Sequence, residues 1–349
     1  MVQAQNKTDF LIGLKMSTEN RHKAYIATAN ARISEALDDL VDPDAPLVLL
    51  DWPNHTNIGD SAIWLGNVAY FTRRGVWPPA YVTRHTAFPP HLEALHPEGT
   101  IFLHGGGNFG EIYPAIHQNR LNILRRFPGR RIVQLPQSIS FQTDAETEST
   151  RRAIGEHGNF VLLVRDLESA ELARRIFECE VRLCPDMAFC LGAQVAPRTA
   201  DVSVFGLMRQ DVEARSSDRD ATITDRIDLN EDWTLPHGFK VGSGLLYSAA
   251  RRHAGLARLL MPRIADGFTA KSEQLFRHGL GQLSRGKVVV TDRLHGHIMA
   301  TLLGIPHVVL DNSYGKIARY RAAWPGADLA TVWDGRGDIA DLVVGPDDT

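Results

Sequence analysis

No run of apolar residues in this chain approaches the roughly 20 needed to cross a bilayer. The first twenty positions offer only the brief FLIGL before turning polar, so neither a spanning anchor nor a secretory leader is expected from the pattern. Cysteine is nearly missing: Cys179, Cys184 and Cys190 are odd in number and form no C-x-x-C pair. That argues against a disulfide framework and suits reduced thiols in the cytoplasm. Excess charge is absent too, since 38 Lys and Arg face 41 Asp and Glu and leave only −3. No overall field therefore attracts nucleic acid. Also wanting are H-E-x-x-H, G-x-S-x-G and a Walker loop, so no metal and no resident cofactor are expected.

What is present is 349 residues at 44% hydrophobic, enough core for two domains of ordinary size. The stretch STENRHKAYIATANARISEALDDL has helical spacing, with Ser17 or Thr18 as its N-cap. From there short apolar runs alternate with amphipathic ones. PLVLLDW (46–52), GTIFLHG (99–105), RRIVQLP (130–136), NFVLLVRD (159–166) and CEVRLCPD (179–186) read as strands, most of them apolar on both faces. AIHQNRLNILRRF and LESAELARRIF between them read as helices. This alternation predicts an α/β fold with parallel sheets covered on both sides. Near LGAQVAPRTA (191–200) the pattern loosens, and DVSVFGLMR opens a second series. The reading is a Rossmann-like N-terminal domain with a helical extension over 1–195 and a C-terminal one over 196–349. Within the latter, QDVEARSSDRDATITDRIDLNEDW reads as a solvated loop or lid. Helical patterns over 244–262 and 266–285 lead into KVVVTDRLHGHIMATLLGIPHVVLDNSYGKIARY: strand, tight turn, helix, strand, helix start.

Four features carry chemistry. Gly105, Gly107 and Gly110 have the spacing G-x-G-x-x-G after an apolar run, but the acidic residue a dinucleotide fold needs at the end of the next strand is replaced by Gln134, Pro136 and Gln137. The surviving inference is a glycine turn whose backbone N–H groups approach an anion, with a ligand-free turn as the plain alternative. After the first strand, Asn57, Gly59 and Asp60 sit where α/β sheets bind ligands, with Asp60 or Ser61 able to cap the helix that follows. Arg165 and Arg293 each end a buried strand, in different domains and at what read as equivalent places. Paired, they could grip a carboxylate and a phosphate; alone, each would be an ordinary salt-bridge residue. His295 lies two residues past Arg293 near a helix N-terminus, a place that favours anions, and a phosphate beside it favours the charged, proton-donating ring. His297 would face elsewhere on that helix, making the two a poor metal chelate. The run RRFPGRR (125–131) reads as the solvated end of a helix, with a lipid phosphate as the alternative.

Taken in order, NIGD (57–60), HGGGNFGE (104–111), VRDLES (164–169), CPDMAF (184–189) and TDRLHGHIMATLLGIPHVVLDNSYGKI (291–317) resemble the polysaccharide pyruvyl transferases. The resemblance implies a fold similar to GT-B glycosyltransferases, two Rossmann-like domains facing across a cleft. It also implies a reaction in which phosphoenolpyruvate gives its enolpyruvyl carbons to a sugar, forming a pyruvate ketal and releasing phosphate. Arg165, Arg293 and His295 match the family's anion-binding and catalytic positions; Asn57, Asp60, Gly105, Gly106 and Gly107 match its loop motifs. His295 is the candidate acid, and Asp60 or Glu111 the candidate base. Asn108 and Lys316 fall inside the matching motifs and are expected to touch substrate. Where the family often carries a more glycine-rich segment this chain has LPQSIS (135–140), and Gln137 and Ser138 are expected to shape the acceptor or phosphate side. The expected partners are phosphoenolpyruvate as donor substrate and a glycan acceptor, free or lipid-linked, met in the cytoplasm or at the inner face of the plasma membrane. A GT-B glycosyltransferase using a nucleotide sugar is the competing reading; it would need a ribose-binding carboxylate near Asp311.

Overall fold

The computed structural model describes residues 18–209, 223, 225–239, 244–310, 315–326, 329–333 and 339. Along the chain run α1 (Thr18–Leu37), β1 (Val48–Trp52), α2 (Ile58–Arg73), β2 (Tyr81–Arg84), α3 (Leu92–Leu95), β3 (Ile101–Leu103), β4 (Gly106–Gly110), α4 (Pro114–Arg126), β5 (Ile132–Ser140), α5 (Asp144–His157), β6 (Phe160–Val164), α6 (Leu167–Ile176) and β7 (Glu180–Leu183). There follow β8 (Val202–Leu207), β9 (Leu229–Glu231), α7 (Leu245–Arg252), α8 (Ala254–Leu283), β10 (Gly286–Thr291), α9 (Leu294–Leu303), β11 (His307–Val309), α10 (Lys316–Ala323) and β12 (Ala330–Val332). The chain divides into two compact units, one of Met1–Asn30, Leu191–Thr234 and Arg277–Thr349, the other of Ala31–Cys190 and Leu235–Phe276. Each collects more than one stretch of chain, where the sequence reading drew a single boundary at 195/196.

In the larger unit the strands lie in the order β2-β1-β3-β5-β6-β7, with β4 also on β5, and every pairing is parallel. The reason is local: β1, β3 and β6 are buried at every position, so both faces need helices over them, and only a crossover-connected parallel sheet supplies that. The smaller unit holds β12-β11-β10-β8-β9, again all parallel, with Val290, Val308 and Leu310 at its core.

Two local outcomes differ from the sequence reading. The segment read as a glycine turn is instead β4, parallel to β5 with Gly106 opposite Gln137 and Gly110 opposite Ser140. Glycine's lack of a side chain is what admits it there: a Cβ on Gly110 would lie 2.0 Å from the Ser140 carbonyl oxygen. The helical patterns over 244–262 and 266–285 resolve as the short α7 and the single 30-residue α8, which runs unbroken through Pro262. The polar stretch from 210 lies outside the described residues except Ile223 and its end from Asp225, which contains β9. Ser17 and Asp311 also lie outside them.

Candidate active site

In an open parallel sheet ligands gather beyond the carboxyl ends of the strands, where the strand order reverses. In the larger unit that reversal falls between β1 and β3, because the chain goes from β1 outward to β2 and then returns to β3 on the other side. In the smaller unit it falls between β8 and β10, with β9 and β11 outside them. The residues singled out from the sequence stand at or near these two edges.

At the larger unit's edge, Asn57 rather than Asp60 or Ser61 caps α2. Its backbone is still extended and its side chain accepts from the Gly59 N–H at 2.9 Å. That releases the Asp60 carboxylate, which lies 3.5 Å from His55 Nε2. Gly106, at φ +134, lies directly beside it: a Cβ there would stand 3.4 Å from Asp60 Oδ1, and one on Gly107 would stand 3.1 Å from a terminal nitrogen of Arg165. The glycines thus run between a carboxylate and a guanidinium. Gly105 instead presses on β5, where a Cβ would meet the Pro136 carbonyl at 2.6 Å.

Arg165 is buried and heavily engaged. It pairs with the buried Asp186 at 2.7 Å and donates through Nε to Ser138 Oγ at 2.9 Å. Ser138 donates onward to Asp166 Oδ2 at 2.8 Å, and Asp166 caps α6 through the Ser169 N–H. Gln137 and Asn108 form the floor. Gln137 accepts the Asn108 N–H at 3.1 Å and donates to Asn108 Oδ1 at 2.9 Å and to the His104 carbonyl. Glu111 is held away by Thr143 and Gln142, whose donors occupy both its oxygens and keep its pKa low.

Beneath this edge lies a buried polar group that the sequence did not reveal. Arg120, from α4, donates to Gln134 at 2.6 Å and to Asn108 Oδ1 at 2.7 Å. His117 Nδ1 accepts from the Gly110 N–H and lies 3.0 Å from Arg120, so its proton sits on Nε2, donated to Thr150. Burial, with the Arg120 charge added, drives that ring's pKa down to about 3. Asp51, at the end of β1, accepts from Asn119, and burial pushes its carboxyl up to about 6 against the pull of Arg120. His85, just past β2, is held well below the ordinary imidazole range by burial and then by His104, His55 and Arg120. Among the described residues neither His85 ring nitrogen nor Asp51 Oδ2 has a hydrogen-bond partner. Both strand ends are strained: Asp51 and Thr86 hold φ of 71° and 60°, which non-glycine residues rarely adopt.

At the smaller unit's edge Arg293 is the cap residue of α9, and its N–H donates to Thr291 Oγ1 at 3.1 Å. Its guanidinium donates to Asp232 at 2.7 Å. Asp292 accepts the Arg209 N–H at 2.9 Å, and burial lifts its pKa to about 6. His295 is the second residue of α9 and half-buried. Gly296 explains the motif's spacing, because a Cβ there would lie 2.3 Å from Thr291 Oγ1; only glycine lets α9 begin directly over the end of β10. His297 is fully buried and donates from Nδ1 to His307 Nε2 at 2.8 Å, His307 being fixed by its own Nδ1–H to the Ile305 carbonyl. Lys316 begins α10 after the left-handed Gly315. Arg165 and Arg293 do not occupy equivalent places: Arg293 follows β10, beside its sheet's reversal, as His104 and Gly105 follow β3 in the other sheet, whereas Arg165 follows β6, two strands farther out.

The family model for polysaccharide pyruvyl transferases matches residues 57–314, from the α2 cap through the R-L-H-G-H segment. The chain belongs to the polysaccharide pyruvyl transferase family. It is 28% identical over 292 residues to the Bacillus subtilis protein EpsO, named for pyruvyl transfer, covering 82% of this chain and 87% of that one. Against pyruvyl transferase 1 of Schizosaccharomyces pombe the identity is 30% over 304 residues, 80% of this chain and 69% of the other. A crystal structure of a Klebsiella pneumoniae protein of uncharacterized function superposes with a TM-score of 0.53 at 18% identity, covering 87% of this chain and 98% of that one. That likeness supports the mixed α/β, parallel-sheet fold. The family match spans residues at the carboxyl ends of both sheets.

The run RRFPGRR turns out to be structural. Arg130 gives its guanidinium to the carbonyls of His96, Glu98 and Gly99, and Arg126 pairs with Glu93.

Proposed function

We propose that this chain transfers the enolpyruvyl carbons of phosphoenolpyruvate to a hydroxyl pair of a sugar in an exopolysaccharide or cell-envelope glycan precursor. The observation that carries the reading is the Arg293–His295 segment. A guanidinium held by an acid at a sheet reversal is followed, in the first turn of a helix, by an imidazole, which is what a small anionic donor that must be protonated requires. Arg293 binds the donor's charge. His295 delivers a proton to the donor's methylene carbon, which makes C2 an oxocarbenium-like electrophile.

One sugar hydroxyl then attacks C2, the bond from C2 to the phosphate oxygen breaks, and the second hydroxyl closes the ketal. Of the two hydroxyl protons, one restores the imidazolium and the other leaves with phosphate. Of the two acids singled out as bases, Asp60 is the less engaged, since Glu111 is already held by Thr143 and Gln142.

The test is direct. Phosphoenolpyruvate should raise the melting temperature while a nucleotide sugar does not, since a ligand bound only by the folded chain stabilises it. Phosphate should be released only when a glycan is added, and the glycan should gain a carboxyethylidene group by mass spectrometry. Stabilisation by the nucleotide sugar alone would transfer the assignment to glycosyl transfer.

A further inference from the structure

Large apolar side chains on the surface are concentrated in one place. Nine are exposed among the described residues, and four of them, Leu245 (79%), Leu246 (58%), Leu256 (38%) and Leu259 (66%), fall within fifteen positions on α7 and the start of α8. The packed sides of these helices are occupied by Tyr247, Ala250, Ala257 and Met261, and Tyr247 meets Phe268 of α8 edge to face at 5.7 Å. The leucines are therefore surplus to the core. Leu256, Leu259 and the exposed Arg263 follow the i, i+3, i+7 spacing of one outward helical stripe.

The charge around them is one-sided. Between Asp232 and Asp266 the sequence contains no acidic residue, and Arg251, Arg252, Arg258 and Arg263 are all exposed there. In a chain with slightly more acids than bases overall, this is the local composition of a helix that lies in a lipid headgroup layer, leucines down and arginines toward phosphate. A protein partner would call for a different set, since leucine is under-represented among the anchors of protein interfaces and aromatic residues lead there. No helix among the described residues is long and apolar enough to cross a membrane, so the contact is one of lying on the bilayer rather than spanning it.

We propose that α7 and the first turns of α8 form a docking face for an anionic lipid bilayer, with Leu245, Leu246, Leu256 and Leu259 entering the acyl boundary and the four arginines binding headgroup phosphates. The face works whatever the transferred group is, so it stands apart from the catalytic reading.

Co-sedimentation with vesicles tests it on the intact chain. Vesicles containing phosphatidylglycerol should pull the protein down and pure phosphatidylcholine should not, with binding falling as salt rises. Leu245→Ser with Leu246→Ser, and separately Arg251→Glu with Arg252→Glu, should each weaken partitioning by at least about tenfold without moving the melting temperature, because the substituted side chains are exposed. Leu259→Ser and Arg258→Glu repeat the test on α8 should either pair perturb folding. Failure to sediment with anionic vesicles, equal binding to neutral ones, or indifference to both variant pairs overturns the proposal. So does a concentration-dependent dimer that the leucine variants dissociate, which would make a second copy the occupant.

Discussion

The two sheets share a strand order around their reversals yet fill them differently. Counted outward, the smaller sheet runs second, first, third, fourth and fifth strand, and the larger begins the same way, second, first and third, before β5, β6 and β7; each carries one buried carboxyl raised to about 6, Asp51 in the larger unit and Asp292 in the smaller. Around Asp51 stand rings kept neutral by burial, His85 and His117, with Arg120 locked into amide partners. Around Asp292 stand an ion pair, the Arg293 guanidinium on Asp232, and a half-buried imidazole at a helix start. Neutral hydrogen-bonding groups suit hydroxyls, whereas a guanidinium at a helix N-terminus suits an anion. One topology thus carries two kinds of polar group at its reversal, neutral rings and amides in one sheet and an ion pair with a half-buried imidazole in the other.

The division can be broken most sharply at His295. His295→Ala should lower turnover by about 10²–10⁴-fold, measured as phosphate release with acceptor, while leaving the stabilisation by phosphoenolpyruvate largely in place; unchanged turnover removes the acid from the mechanism. On the sealed side the effect should be on folding instead. Arg120→Met leaves Gln134 and Asn108 without their buried donor and should cost about 3–5 kcal/mol of stability, read by denaturant unfolding, and a loss under 1 kcal/mol would mean the network can repack. Gly296→Ala forces a methyl toward Thr291 Oγ1, with about 1–3 kcal/mol of overpacking expected. Gly107→Ala meets only the far end of Arg165 and should spare stability while raising the donor's KM; equal melting losses in the two variants would erase the distinction.

The smallest effect concerns pH. Asp51 holds its proton more tightly in the folded chain than at its ordinary value of 3.8, with a folded pKa near 6. The folded state therefore binds the extra proton, and stability from this group, complete below 3.8, is lost as pH climbs toward 6. Asp51→Asn cannot ionise, so its melting temperature should gain on the natural chain across that window. A difference that stays flat between those pH values would mean the carboxylate is compensated when charged.

Much of this architecture was legible because its strands are buried on both faces. VLLDW, IFL and FVLLV announce themselves as continuous apolar runs. YVTR, only four residues with two polar ones, does not, and a glycine-rich strand contradicts its own local propensity, so β4 reads as a turn. The R-L-H-G-H segment was legible by resemblance, and the structure adds why its glycine is needed. The cap of α2 was misassigned because Asn, Asp and Ser all stand within five residues, and only the backbone angle at Asn57 decides among them. Asp51, His85 and Arg120 were beyond reach: widely separated in sequence, they are joined only by strand order, and nothing about a single histidine or aspartate tells which lies at a reversal. The supposed equivalence of Arg165 and Arg293 failed for the same reason, since strand ends look alike until the sheet order is known.

The clasp of Asp232 on Arg293 has a consequence for selectivity. A newcomer shares that guanidinium with a resident acid, so uncharged metabolites gain little by visiting it. Asp232 lies one residue beyond β9, so the segment leading into it would register any loosening of that pair.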